Sequence, residues 1–298
     1  MKVDLVFEGG GILGIAFVGA YHALTMKGYE IDRCAGTSAG AIISSLIIAG
    51  YTSSELKVLI KETDFSQFLK KTSLSKISLI GKALSFVYNK GIYDIRAVEK
   101  WIEFLLLKKQ IKTFKDIKNN VLKVIAADIT NRKLLILPDD LKFYGINSDN
   151  FSIAKAVAMS CSIPLFFTPI IINNSFIVDG GLLSSFPIWI FDVEGMPRYP
   201  TFGIKIKDPV SLSFQGKTGI ISYIKDLLYA TYNKEETTFL RDEDLVRTII
   251  IDFDNKTKAT DLTISSKRID YLYTCGYKST IDFLSKWSFR NYIKKYRS

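Results

Sequence analysis

The chain opens on a short apolar run, residues 3–7, that ends in glycines. A continuous apolar stretch of this length, closed by a turn signal, reads as a buried strand. Over 12–26 the apolar positions recur at helical spacing, and 31–35 is a second short strand. Residues 41–49 are nearly all apolar but too few to cross a bilayer, which suits a buried helix. The polar and basic stretch 53–107 reads as helical, with Phe65, Phe68, Leu69 and Phe86 as apolar punctuation. Strands are predicted over 121–127, 133–137 and 170–178, with a short helix over 153–160. Two late strands follow at 203–206 and 248–253, helix and loop between them at 211–243, and a terminal helix from Ser265. Strands alternating with helices predict an α/β fold, a three-layer α/β/α arrangement around a mainly parallel sheet. No internal repeat or low-complexity linker divides the chain, so 1–298 reads as one domain.

Composition narrows the class. With 48% hydrophobic residues in 298, the chain has ample material for a core, which excludes disordered and collagen-like classes. A formal charge of +10 favours anionic partners: a membrane surface, nucleic acid or an acidic substrate. Cys34, Cys161 and Cys275 are few, odd in number and scattered, which argues against a disulfide framework and for a reducing compartment. His22 is the sole histidine, so a mechanism or metal site needing two is excluded. Asp4 and Glu8 interrupt any signal-peptide core. The uncharged stretch 156–178 is long enough to span a bilayer, but Pro164, Pro169 and Asn173-Asn174 break it. The expectation is a cytoplasmic protein with peripheral membrane association and neither signal peptide nor transmembrane helix.

The sharpest chemical signal is Gly36-Thr37-Ser38-Ala39-Gly40, set between the second predicted strand and an apolar helix. This is the G-x-S-x-G nucleophile elbow in its strand–turn–helix context. The glycines permit a turn too tight for side chains, and Ser38 at a helix start feels a dipole that favours negative charge. A second signal, Gly9-Gly10-Gly11-Ile12-Leu13-Gly14, fits a dinucleotide fingerprint by letter, with Glu30 or Asp32 as the ribose acid. It fits equally an oxyanion loop of consecutive amides. The next strand decides: it runs into the serine elbow rather than into an acid, which favours the oxyanion loop. His22 sits about eleven residues past Gly11, about 16 Å along a helix, too far to serve a serine near the helix start. The base is then a carboxylate, and Asp179, ending an apolar strand before Gly180-Gly181, is the candidate.

Taken together these motifs resemble the patatin-like phospholipases, lipid acyl hydrolases with a Ser–Asp dyad. The resemblance rests on the glycine loop, the 36–40 elbow and Asp179-Gly180-Gly181 in order and spacing. It is carried further by Ala127-Asp128-Ile129-Thr130, by the segment 160–169 and by the segment 181–187, and it covers about residues 3–206. It implies Ser38 as nucleophile, Asp179 as general base and Gly9, Gly10 and Gly11 as the oxyanion loop. Gly14, Gly36, Gly40, Gly180 and Gly181 support the motif. It implies an acyl-enzyme, no cofactor, no metal and no catalytic calcium. One departure is Leu13, where the family usually carries Arg or Lys, and it bears on headgroup preference.

The implied substrate is a phospholipid or lysophospholipid. Residues 267–298 hold eight Lys/Arg against Asp270 and Asp282, interleaved with aromatics such as Tyr271, Tyr273, Tyr277 and Trp287. Such a helix either lies in an anionic bilayer interface or packs its aromatics on the sheet, and packing is the favoured expectation. Nucleic acid is not expected, since no base-stacking module or zinc spacing accompanies the charge. The helical segment 53–107 is placed as a lid. Two rival readings stand beside the enzyme: a lipid-binding relative with weak or no catalysis, prompted by Leu13, and a dinucleotide-binding protein using 9–14.

Overall fold

The computed structural model of the protein describes residues 1–70, 89–207, 241–254 and 256–296. Its centre is an eight-stranded sheet in the order β10-β9-β1-β2-β4-β8-β7, with β5 paired to β4 off that path. The strands are β1 (Lys2–Phe7), β2 (Glu30–Thr37), β4 (Leu122–Asp128), β5 (Lys133–Leu137), β7 (Ile170–Ile172), β8 (Ser175–Asp179), β9 (Thr201–Ile206) and β10 (Thr248–Ile251). The five from β10 to β4 run parallel, while β5, β7 and β8 are antiparallel to their neighbours. A separate parallel pair joins β3 (Gly91–Tyr93) to β6 (Leu165–Phe167).

The apolar runs become these strands because every position of β4 and β9, and five of six in β1, is buried. Helices α1 (Ile15–Met26) and α2 (Ala39–Ile48) are apolar nearly all round, as interior helices must be. With α3 (Ser53–Glu62), α4 (Arg96–Lys108) and α5 (Ile153–Ser160) they share one continuous core with Leu5 and Phe7. The opposite face, at Val6 and Ala35, is covered among the described residues by Phe186, Ile188 and Phe191. The result is a mostly parallel sheet with helices layered on it, a three-layer α/β/α fold.

The long helix α7 (Ser266–Lys286) follows the short α6 (Asp242–Leu245), precedes a last helix α8 (Phe289–Tyr296) and packs on α1 at glycine contacts. A Cβ on Gly19 would stand 1.9 Å from the Tyr273 carbonyl oxygen, and one on Gly276 would stand 1.8 Å from that of Ala16. Only glycine permits so close a backbone approach. Of the interleaved aromatics, Tyr273 is buried and Trp287 meets the Phe202 ring at 4.8 Å. Tyr273 and Trp287 are spent on packing, whereas Tyr271 is exposed, and the lysines Lys267, Lys278 and Lys286 face solvent. Among the described residues no helix is long and apolar enough to cross a membrane.

Two sequence expectations are corrected. The run 170–178 is not one strand but a hairpin, turned at Asn173 and Asn174 with φ of 44° and 66°. Two consecutive positive φ values define the tight turn whose twist matches the flanking strands, and asparagine tolerates them. The stretch 53–107 is not helical throughout, since it contains β3. Of the segment 53–107 placed as a lid, residues 71–88 lie outside the described residues, as does most of 211–243.

Candidate active site

The site is assembled by strand register. β5 occupies one edge of β4 across Val124 to Asp128. The other edge is shared: β2 pairs it as far as Thr37 opposite Ile125, and β8 takes over with Asp179 opposite Ala126. β2 and β8 therefore run toward each other along one edge and end one register position apart. The residue that leaves β2 is Ser38, and the residue that ends β8 is Asp179. Sequence reasoning placed Asp179 at the end of an apolar strand; that strand, β8, is antiparallel to β4 and delivers the carboxyl head-on to the end of β2.

Ser38 sits at φ 53°, ψ −120°, outside the regions an L-residue prefers, and caps the start of α2. Such a conformation costs about 1–3 kcal/mol and persists only where the surroundings hold it. Two glycines make room for it. A Cβ on Gly36 would lie 2.3 Å from the Gly40 carbonyl carbon, and one on Gly40 would lie 2.4 Å from the Phe7 carbonyl oxygen. The elbow thus folds against the end of β1, from which the glycine loop departs.

Asp179 is 1% exposed. Its Oδ1 accepts the Gly181 N–H at 2.8 Å. Its Oδ2 is buried and makes no hydrogen bond of ordinary geometry among the described residues. Burial pushes its pKa from 3.8 to about 7, against the lowering effect of the neighbouring Ser38 hydroxyl and the Gly181 amide. The buried Cys161 thiol lies near Asp179 and Ser38, and burial and the nearby Asp179 raise its pKa well above the usual thiol range. It is the protonated, inert form of cysteine.

The glycine loop lies directly over the elbow. A Cβ on Gly9 would be 3.6 Å from Ser38 Cβ, and one on Gly14 would be 2.7 Å from Ala39 Cβ. Gly11 has φ 53° and opens a turn of 3-10 helix, Gly11–Gly14, ahead of α1. The three amides differ. Gly9 donates its N–H to the Ser185 carbonyl at 2.9 Å, whereas the N–H groups of Gly10 and Gly11 meet no acceptor among the described residues. Thr37 Oγ1 donates to the Ser184 carbonyl at 3.1 Å. The turn after Asp179 is thereby stitched to both the elbow and the glycine loop. Ahead of the glycines, buried Glu8 pairs with Lys205 Nζ at 2.5 Å and accepts the Ile206 N–H at 2.7 Å.

Other singled-out residues stand elsewhere. His22 Nδ1 meets the Tyr273 hydroxyl, and its ring lies against Tyr273 and Tyr277 on α7. Glu30 pairs with Lys2 in register, at the end of the sheet opposite to the glycines, and Asp32 bonds Lys2 Nζ at 3.1 Å. Neither acid reaches the glycine loop, so the dinucleotide reading is not supported. Asp128 accepts the Thr130 and Asn131 N–H groups, each at 2.9 Å, and the Tyr144 hydroxyl, which ties down the turn between β4 and β5. Leu13 is half-buried against the core and brings no charge to the loop. Sequence reasoning missed Ser160, whose hydroxyl accepts the Ser38 N–H at 2.8 Å. The only signal for it was a serine in the loop leading to the Asp179 strand.

A strand-to-helix serine elbow on a mostly parallel sheet, facing a buried carboxyl and a glycine loop, defines the class to compare with. Residues 5–192 match the family described as Patatin-like phospholipase. The chain belongs to that family, whose members are lipid hydrolases. It is 36% identical over 306 residues to YqhO of Bacillus subtilis, an uncharacterized protein, covering 97% of this chain and 100% of that one. It is 31% identical over 191 residues to "Probable lipid hydrolase 463L" of Invertebrate iridescent virus 6, covering 62% and 61% of the two chains. In fold it is similar to VipD of Legionella pneumophila, with a TM-score of 0.55 and 15% identity over 95% of this chain and 66% of VipD. The type III effector ExoU gives a TM-score of 0.52 and 14% identity, with 95% of this chain and 53% of ExoU covered.

Proposed function

We propose that the protein is a serine-dependent lipid acyl hydrolase of phospholipase A or lysophospholipase type. The observation that carries this reading is the meeting of β2 and β8 on one edge of β4, which sets Ser38 beside a buried carboxyl. Asp179 takes the Ser38 proton as Oγ attacks the ester carbonyl. The oxyanion of the tetrahedral intermediate is met by the unused N–H groups of Gly10 and Gly11, while Gly9 packs on Ser38 and keeps the loop close. Collapse breaks the ester bond, and Asp179 returns the proton to the leaving alcohol. Water, deprotonated by the same carboxylate, then attacks the acyl carbonyl; the bond to Ser38 breaks, the fatty acid leaves, and Asp179 returns the proton to Ser38 Oγ. Neither a histidine nor a cation is required by these steps.

A base must be ionised to act. With its pKa near 7, Asp179 makes kcat/KM rise with pH through about 7 and level off above it. The lipid substrate class is supported by the family and by the relative named for lipid hydrolysis. An anionic bilayer as the working surface is supported by the net charge of +10 and by the solvent-facing lysines of α7. The test is product analysis by mass spectrometry on mixed phospholipid and lysophospholipid vesicles. Wild type is expected to release fatty acid and Ser38→Ala to release none. Binding of vesicles without release by wild type would favour the non-catalytic lipid-binding reading instead.

A further inference from the structure

We infer that Ser160 is a positioning residue that fixes the direction of the Ser38 side chain. This rests on the reading of Ser38 as nucleophile. A side chain is aimed by the two peptide planes flanking its Cα. The plane after Ser38 is held by α2, because the Ser38 carbonyl accepts the N–H of Ala41 at 2.9 Å and of Ile42 at 3.1 Å. The plane before it has no such help. Its N–H belongs to a residue at φ 53°, at the point where β2 has stopped pairing with β4.

Ser160 supplies the missing restraint. Its Oγ accepts the Ser38 N–H at 2.8 Å and donates its own proton to the Ile125 carbonyl at 2.5 Å. The polarity is unambiguous. A carbonyl can only accept, so the single hydroxyl proton is committed to Ile125, and a lone pair is left facing the Ser38 amide. Ile125 is the β4 residue opposite Thr37, and its carbonyl oxygen lies 2.4 Å from where a Cβ on Gly180 would be. The relay therefore anchors Ser38 to the one strand that both β2 and β8 use as their reference. Ser160 is fully buried at the end of α5, and water cannot replace its hydroxyl without opening the core.

Two residues further on, the Ser162 carbonyl accepts the Asp179 N–H at 3.0 Å. The segment 160–162 thus grips Ser38 from one end and Asp179 from the other, and it holds the distance between them. Removing the Ser160 hydroxyl leaves a buried N–H without an acceptor at a strained residue. The 37–38 peptide plane is then free to rotate toward an ordinary conformation and carry Oγ off the carboxyl.

The experiment compares Ser160→Ala, Ser160→Thr and Ser44→Ala in the full chain. Ser44 is an equally buried hydroxyl in α2 that donates to the Ala35 carbonyl at 2.9 Å and does not touch Ser38. It measures what loss of a buried hydrogen bond does to stability alone. Each variant is checked for folding by circular dichroism and thermal melting. Rates of fluorophosphonate labelling and of ester turnover are then measured per folded molecule. Ser160→Ala is expected to lose about tenfold to a hundredfold in labelling rate and in kcat, the scale of a misplaced reacting atom, with KM changed less than about threefold. Ser44→Ala is expected to keep kcat within about threefold. Ser160→Thr keeps the hydroxyl and is expected to restore most of the rate. Equal kcat and labelling in wild type and Ser160→Ala, at any melting temperature, would overturn the inference. Failure of wild-type Ser38 to label would overturn the underlying reading instead.

Discussion

Asp179 is a stability liability that the proposed chemistry requires, and its size can be worked from the fold. The carboxyl is completely buried and its pKa is raised from 3.8 to about 7. A carboxyl raised on folding binds protons more tightly in the native state, so its contribution to stability declines as pH climbs from about 4 to about 7. Each unit corresponds to about 1.36 kcal/mol, so the full penalty above neutrality is on the order of 4 kcal/mol. Asp179→Asn removes the titration while nearly keeping the shape. Between pH 5 and pH 8 the native carboxyl passes through about two units of that range. The stability advantage of the Asn variant over wild type should therefore grow by about 2–3 kcal/mol over the same interval. Urea denaturation of both proteins at the two pH values reads this difference. Any pH-independent effect of the amide on packing cancels in the comparison. A gap that stays constant, or that narrows toward pH 8, would refute the claim that Asp179 is buried with a raised pKa.

Three further outcomes follow from the packing around the site. Gly10→Ala is expected to fold, since its Cβ would meet only the movable tip of Ile206 at 2.5 Å, yet to lose about 10²–10³ in kcat as the approach to the amide narrows. Gly11→Ala is a poorer probe, because φ 53° and a backbone oxygen at 2.1 Å distort the loop itself. His22→Ala is expected to retain turnover and lose about 1 kcal/mol of stability in urea denaturation, since its contacts lie on α7. Gly276→Ala should lower the melting temperature by more than about 4 °C with no selective effect on KM, because a Cβ there drives α7 off α1.

Much of the site was legible in the sequence because its residues are constrained one at a time. The elbow needs glycine at both flanks, and a buried strand ending in Asp-Gly-Gly is visible as a string of letters. What was not legible depends on pairing. The run Ile170-Ile171-Ile172 and the run Phe176-Ile177-Val178 are alike in apolarity, so they merge into one strand unless Asn173-Asn174 is given its full weight as a turn. Missing that turn reversed β8, and with it the route by which Asp179 reaches Ser38. The engagement of Gly9 by Ser185 and the relay through Ser160 are long-range contacts between segments that carry no mutual pattern. The short strands β3 and β6 were missed because three residues are too few to show a period. The terminal helix was ambiguous because aromatics interleaved with lysines suit both a bilayer and a sheet. Gly19 and Gly276, which settle its packing on α1, announce themselves only once the two helices are adjacent.

The central claim is that Ser38 is a nucleophile served by Asp179, and covalent capture tests it most directly. The protein is treated with a fluorophosphonate, with and without anionic vesicles, at pH 8, and its intact mass and modified peptide are determined. The account predicts one phosphonyl adduct on Ser38 in wild type, no adduct in Ser38→Ala, and labelling slower by orders of magnitude in Asp179→Asn. An unlabelled wild type under both conditions, or an adduct that forms equally fast without the carboxylate, would contradict it.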